Sequence, residues 1–251
     1  MIETAKRFDN RVENYVKYRP HYPREVLDFF RNGLDLQKSS VIADIGSGTG
    51  ISAKLFLENG NRVFGIEPNK LMREASEKYL EKYPNFKAID GTSENTTLAD
   101  KSVDFIIAAQ AFHWFDTAKT LTEFRRILRE DGFIALIWNE RQLASNEFLR
   151  KYENFLTEFG TDYKNVRHDN ITKESLNEFF NTNINQKTFE NSQTLDFEGL
   201  LGRMISSSYM PSEENPRFPE MKKSLKRLFA ERSEKGKIQV LYNTNILYTK
   251  L

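Results

Sequence analysis

The chain contains no cysteine, which removes disulfide bonds, thiolate metal sites and cysteine nucleophiles together. Histidine is nearly as scarce. His21, His113 and His168 are too scattered in the sequence to suggest a metal cluster, and no HExxH-type spacing occurs, so no metal is expected. An excess of one charge is also missing. Lys plus Arg number 37 against 36 for Asp plus Glu, so no overall field holds a polyanion, and neither nucleic acid nor an anionic membrane is an expected partner. Long apolar runs are absent too: FIIAA at 105–109 falls far below the roughly 20 residues of a membrane-spanning helix. The opening MIETAKRFDN has no apolar signal core. Together these absences predict a soluble, cytoplasmic protein; a monomer or homodimer is expected.

What is present is enough chain for a sizeable core. A chain of 251 residues suits one large domain that buries roughly 70–75% of its unfolded surface. From 34 to 139, short apolar runs alternate with segments of helical period. The runs are SVIADI (40–45), NRVFGIE (61–67), FKAID (86–90), SVDFIIAA (102–109) and GFIALIW (132–138). Between them TGISAKLFLENG, NKLMREASEKYLEKY and TAKTLTEFRRILRE place apolar residues three and four apart, and two of them stop at Gly60 and at the Asp131-Gly132 turn. Strands that are almost continuously apolar, with helices between them, predict a parallel sheet covered on both faces, hence a doubly wound α/β fold.

The flanks differ from this core. Residues 1–33 predict about two helices joined by YRPHYP at 18–23, whose prolines force an extended turn, and 140–185 predict a mainly helical cap. In 186–251, KTFENSQTL (187–195) predicts a strand, 214–234 a helix, and IQVLYNTNILYTKL a final long strand or bent strand pair.

DIGSGTG after the first strand brings backbone close to a ligand. A nucleotide loop of the GxxxxGK[ST] kind needs a lysine that is not there, and GxGxxG needs a small third residue where Ile51 stands. Asp44 argues further against phosphate, because a carboxylate about 5 Å from a phosphate charge is repelled by roughly 3 kcal/mol at an effective dielectric near 20. A cationic ligand reverses that sign. S-adenosylmethionine has a sulfonium, an α-ammonium and no phosphate, so Asp44 suits its amino-acid end while Gly46 and Gly48 admit it and a helix starting near Thr49 assists its carboxylate. Glu67, 21 residues after Gly46, ends the next strand, where it accepts hydrogen bonds from ribose hydroxyls, and Pro68 starts a helix.

With these segments in order, the chain resembles the class I S-adenosylmethionine-dependent methyltransferases of the type 11 group, more narrowly the small-molecule branch of trans-aconitate-type enzymes. DIGSGTG, IEPNKLM, SVDFIIAAQAFHWFD, EFRRILREDGFIALIWNER, YVKYRPHYP, SSSYMP and YNTNILYTKL carry the resemblance across nearly the whole chain. It implies a Rossmann-like sheet of seven strands, mostly parallel, the last inserted antiparallel beside the fifth. It also implies roles: Asp44, Gly46, Ser47, Gly48 and Gly50 for the methionine end, Glu67 with Pro68 for the ribose, and Met72 on the adenine. Thr92, Ser93 and Glu94 match the loop after the third strand. Related enzymes often have Asp in place of Thr92, so the Thr92 hydroxyl, the Ser93 backbone and Asp90 are alternatives for the adenine amino group.

Methyl transfer is an in-line displacement that needs alignment more than acid–base chemistry. The acceptor pocket is expected beyond the ends of the first and fourth strands, near Ala109, Gln110, His113 and Trp114. Gln110 falls beside the methionine moiety. His113 is the candidate base, the alternative being a ring packed among Phe112, Trp114 and Phe115. Trp114 suits a wall. Tyr15, Tyr18 and Arg19 are expected in a lid, Arg19 gripping a carboxylate, and Asn139, Arg141, Arg203 and Tyr209 are candidates to face the acceptor. The predicted activity is methylation of a small molecule, at a carboxylate or hydroxyl oxygen. Alternatives are methylation of RNA or protein, and a protein of this fold that binds the cofactor without turnover.

Overall fold

In the computed structural model, residues 11–163 and 171–251 are described; the first ten residues of the expected lid and 164–170 of the expected cap lie outside them. In chain order the elements are α1 (Val12–Tyr18), α2 (Arg24–Gly33), β1 (Val41–Ile45), α3 (Ile51–Glu58), β2 (Arg62–Ile66), α4 (Lys70–Tyr79), β3 (Phe86–Ile89), β4 (Val103–Ala109), α5 (Thr117–Ile127), β5 (Leu128–Arg141), α6 (Glu147–Phe159), α7 (Lys173–Phe180), β6 (Asn185–Leu195), α8 (Phe197–Ile205), α9 (Phe218–Arg232) and β7 (Ile238–Lys250). The strands form one sheet in the order β3-β2-β1-β4-β5-β7-β6. The first five are parallel, and β7 runs antiparallel between β5 and β6. This is the seven-stranded, mostly parallel, Rossmann-like methyltransferase fold.

Period-two alternation explains why the central strands are apolar throughout. Along β4, Phe105 and Ile107 enter a core with Val26 and Phe30 of α2 and Phe56 of α3, whereas Ile106 and Ala108 enter the opposite core with Phe124 of α5 and Phe180 of α7. Both faces are covered, so neither offers a polar register. A third apolar cluster joins Tyr152 and Phe155 of α6, Met204 of α8 and Leu225 of α9 to Val240 and Tyr242 at the start of β7.

Several boundaries differ from the sequence expectation. The expected helix 117–130 stops at Ile127, because Leu128 pairs with Val103 and the chain bends at Asp131, φ +61°, and Gly132. β5 then outruns the expected 132–138: Asn139, Glu140 and Arg141 pair with Thr244, Asn243 and Tyr242 of β7. The last segment is one strand, and the helix near 214–234 spans 218–232. No helix is long and apolar enough to cross a membrane among the described residues.

Candidate functional site

The loop after β1 turns because three of its residues adopt backbone that only glycine takes at low cost: Gly46 at φ +69°, Gly48 at +54° and Gly50 at +84°. The amides of Gly46 and Ser47 donate to the Ile66 carbonyl at 2.8 and 3.2 Å, laying the loop over the end of β2. A Cβ at Gly46 would stand 2.6 Å from the Ala111 Cβ, so the absent side chain is what lets the loop and the 111–115 segment meet. Gly50 caps α3, which begins at Ile51, two residues past the expected Thr49. On the other side, Gln110 leaves β4 at φ +58°, a conformation uncommon for a non-glycine residue and frequent at functional sites.

Two cavities meet at this loop, sharing Tyr15, Gly46, Ala109, Gln110 and Trp114. The smaller, about 90 Å³, is walled by Gly48, Glu67, Pro68, Met72, Thr92 and Ser93. The larger, about 510 Å³, is of the size of small-molecule sites and includes Arg19, Ser47, His113, Asn139, Arg141, Arg203 and Tyr209. The structure thus gathers most of the candidates. Four are not on either wall. Asp44 lies beneath the loop at the end of β1, and Gly50 is turned toward Leu80 and Ser76. Glu94 points away, accepting from the Ser93 hydroxyl at 2.9 Å and the Asp116 amide at 3.1 Å. Tyr18 is a correction: its ring fills the space left by the missing side chain of Gly202, where an added Cβ would sit 2.2 Å from it. Asp90 is also outside, exposed and paired with Arg73 at 2.9 Å.

Glu67 is 9% exposed and doubly tied: Oε2 accepts from Gly48 N–H and Oε1 from Asn69 N–H, each at 2.9 Å. Burial pushes its carboxyl upward, and those two backbone bonds pull it back. An ionised carboxylate has about four acceptor positions, so two remain for a ligand. Asp44 is fully buried. Its Oδ2 accepts from the Ser52 hydroxyl at 2.6 Å, while Oδ1 has no hydrogen-bond partner. Burial raises its carboxyl to about 7, with Ser52 and the Ala53 amide opposing and nearby Glu67 adding to the rise.

The larger cavity carries three guanidinium groups, those of Arg19, Arg141 and Arg203. Arg141 donates to Glu153 at 2.7 Å and to the Tyr163 hydroxyl, which in turn donates to Glu153. Arg19 donates to the Ser206 carbonyl at 2.8 Å with its guanidinium over the Tyr15 ring, and Arg203 donates to the Ser207 hydroxyl at 3.2 Å. Asn139 accepts from Thr244 and Asn191, which fixes its amide. The His113 ring packs on Trp114 with centroids 4.7 Å apart.

Sequence patterns did not single out Tyr22, Glu153 or Tyr163, all on this wall, or Arg11. Arg11, 7% exposed, donates to the carbonyls of Ile205, Ser207 and Met210, so it ties α1 to the turn that carries Tyr209. Nothing local marks it. Arg11→Met strands three buried carbonyls and is expected to lower stability by roughly 2–4 kcal/mol and to speed proteolysis near 11–20, read by denaturant melts and limited digestion. A variant as stable and as resistant as the wild type would deny the tie.

Residues 43–136 match the family model described as a methyltransferase domain. An uncharacterized methyltransferase of Mycobacterium tuberculosis is 34% identical over 134 residues, which cover 53% of this chain and 52% of that protein. The chain spans about half the length of the curated relatives it matches. A solved structure from Anabaena variabilis, described as a methyltransferase from an antibiotic biosynthesis pathway, is 25% identical with a TM-score of 0.63, covering 94% of this chain and 99% of the other. Another, described as a type II methyltransferase from Anaeromyxobacter dehalogenans, shares the fold at 19% identity and a TM-score of 0.66, covering 93% and 98%. These likenesses support a methyltransferase domain built around the glycine loop.

Proposed function

We propose that this protein is an S-adenosylmethionine-dependent methyltransferase that methylates an oxygen of a small acidic molecule, at a carboxylate or an acidic hydroxyl. One observation carries the proposal: two cavities of different charge meet at Gly46, one walled by the carboxylate Glu67 and the other by three arginines, Arg19, Arg141 and Arg203, against two carboxylates, Glu140 and Glu153. The first suits a neutral ribose and adenine, the second an anion. The residues present fit the cofactor. Glu67 has acceptor positions left for ribose hydroxyls, Met72 and Thr92 flank the adenine space, and the buried Asp44 oxygen without a partner is available to an α-ammonium. The cofactor supplies an electrophilic methyl carbon on a sulfonium.

This chain's own part is to bind, orient and exclude water. Gln110 and Trp114, common to both cavities, stand between cofactor and acceptor, and the arginines hold an anionic group of the acceptor in the larger cavity, which leaves another part of the acceptor to face that junction. Small polycarboxylates, in line with the trans-aconitate-type resemblance, and phenols are the acceptors to screen. The test is calorimetric titration with S-adenosylmethionine and S-adenosylhomocysteine, with NADH as control. Saturable binding of the first two alone is expected; silence from both overturns the proposal, and binding without turnover of any acidic acceptor favours a cofactor-binding protein.

A further inference from the structure

Arg19 and Arg203 start far apart in the chain and end on neighbouring residues. Arg19, just after α1, donates to the Ser206 carbonyl at 2.8 Å, and Arg203, in the last turn of α8, donates to the Ser207 hydroxyl at 3.2 Å. Anchors one residue apart hold the two guanidiniums side by side on the wall of the larger cavity. Each is steadied a second time. The Arg19 guanidinium lies 4.6 Å over the Tyr15 ring, and the Ser206 hydroxyl donates to the Arg203 carbonyl at 2.6 Å, which fixes the turn beside it.

No acid answers this pair. Among the described residues neither arginine has an ion pair, whereas Arg141, the third on the wall, is paired with Glu153 at 2.7 Å. Both carboxylates that line the cavity are engaged, Glu153 by Arg141 and Tyr163 and Glu140 by the Asn245 amide at 2.7 Å. Arg203 is 7% exposed, and the Nε atoms of both arginines are buried without a hydrogen-bond partner. A guanidinium offers several N–H donors in a fixed fork, and each of these spends one. Two buried like charges without a counter-ion are costly until a ligand brings the opposite charge. The methionine end of the proposed cofactor does not bring it, because an α-ammonium accompanies its carboxylate.

We infer that Arg19 and Arg203 form a receptor for a phosphate monoester on the acceptor, a group distinct from the oxygen that is methylated, so that the substrate is a phosphorylated small molecule. This inference rests on the methyltransferase proposal above. Charge and shape both favour phosphate over a carboxylate. One carboxylate balances one guanidinium, whereas a monoester, close to a dianion at pH 8, balances both. Adjacent anchors bring two forks to one small volume, which suits a group that carries both charges on one centre and accepts bidentate bonds from each. Arg141, already neutralised by Glu153, is not part of the receptor. No bond to phosphorus forms or breaks. The phosphate is held on the arginine side while another oxygen of the acceptor faces Gln110 and Trp114.

Inorganic phosphate and sulfate are the probes, at pH 8 and fixed ionic strength, with acetate and malonate as comparisons. Phosphate and sulfate are expected to raise the melting temperature of the wild type and, by calorimetry, to bind at least about tenfold more tightly than acetate, with or without S-adenosylhomocysteine. Arg203→Met removes a buried charge that has no counter-ion. It is expected to melt no lower than the wild type in chloride buffer while losing at least about tenfold in phosphate affinity. Arg203→Lys keeps the charge without the fork and is expected to fall between the two. Acetate or malonate binding as tightly as phosphate overturns the inference, as does displacement of phosphate by S-adenosylhomocysteine, which would give the pair to the cofactor. An Arg203→Met protein that melts lower and binds phosphate like the wild type overturns it too. In an acceptor screen, phosphorylated phenols and hydroxy acids are expected to turn over, and turnover confined to their dephosphorylated counterparts counts against the receptor in the same way. Failure of the wild type to bind S-adenosylhomocysteine sinks the parent proposal instead, and the phosphate titration still decides the arginine pair.

Discussion

Glu67→Ala is expected to weaken binding of both S-adenosylmethionine and S-adenosylhomocysteine by roughly a hundredfold, since hydrogen bonds to a charged group contribute about 1.5–3 kcal/mol. The carboxylate also holds the loop, receiving the amides of Gly48 and Asn69. Glu67→Gln is therefore no mild substitution. Both oxygens already face N–H donors, so an amide must turn its NH₂ toward one of them whichever way it sits. Glutamine is expected to cost nearly as much as alanine, with KM for the cofactor rising and the acceptor's KM little changed. Calorimetry on variants shown by melting to be folded is the measurement. Binding by Glu67→Ala within about threefold of wild type would remove the ribose assignment.

Much of this cavity pair was legible because its parts are local. β1, the glycine loop and Glu67 occupy 41–67, and their alternation of apolar run, turn residues and acid is short-range information. The β5 extension was not legible, since Asn139, Glu140 and Arg141 are polar and become strand only by pairing with Thr244, Asn243 and Tyr242. Tyr18 was misplaced for a related reason: what draws its ring away from the cavity is a missing side chain at Gly202, nearly two hundred residues along. The cationic wall was read as separate candidates. That Arg19, Arg141 and Arg203 line one cavity, with Glu153 paired to Arg141, is set by the packing of α1, α6, α8 and β5, which periodicity does not record.

Asp44 ties pH to both stability and cofactor binding, with opposite signs. In the unfolded chain an aspartate titrates near 3.9, and here burial raises it to about 7. Between about pH 4 and about pH 7 the folded protein keeps a proton that the unfolded chain has released. The Asp44 contribution to stability is therefore fully present in acid, falls as pH rises through that window by on the order of 4 kcal/mol, and is flat above it. A bound α-ammonium favours the ionised carboxylate, so affinity for S-adenosylmethionine is expected to rise by up to about tenfold per pH unit below about pH 7 and to level off above. Each ligand bound in the lower range releases up to one proton from Asp44. Asp44→Asn keeps the shape and the Ser52 hydroxyl as a partner but cannot ionise. The variant is expected to melt no lower than wild type near pH 8 without ligand, yet to bind the cofactor at least about tenfold more weakly there, with a flat pH profile. Calorimetry in two buffers of different ionisation enthalpy, near pH 6 and near pH 8, counts the protons directly. The same proton release from wild type and Asp44→Asn would place the titrating group elsewhere and leave Asp44 as a strut beneath the loop.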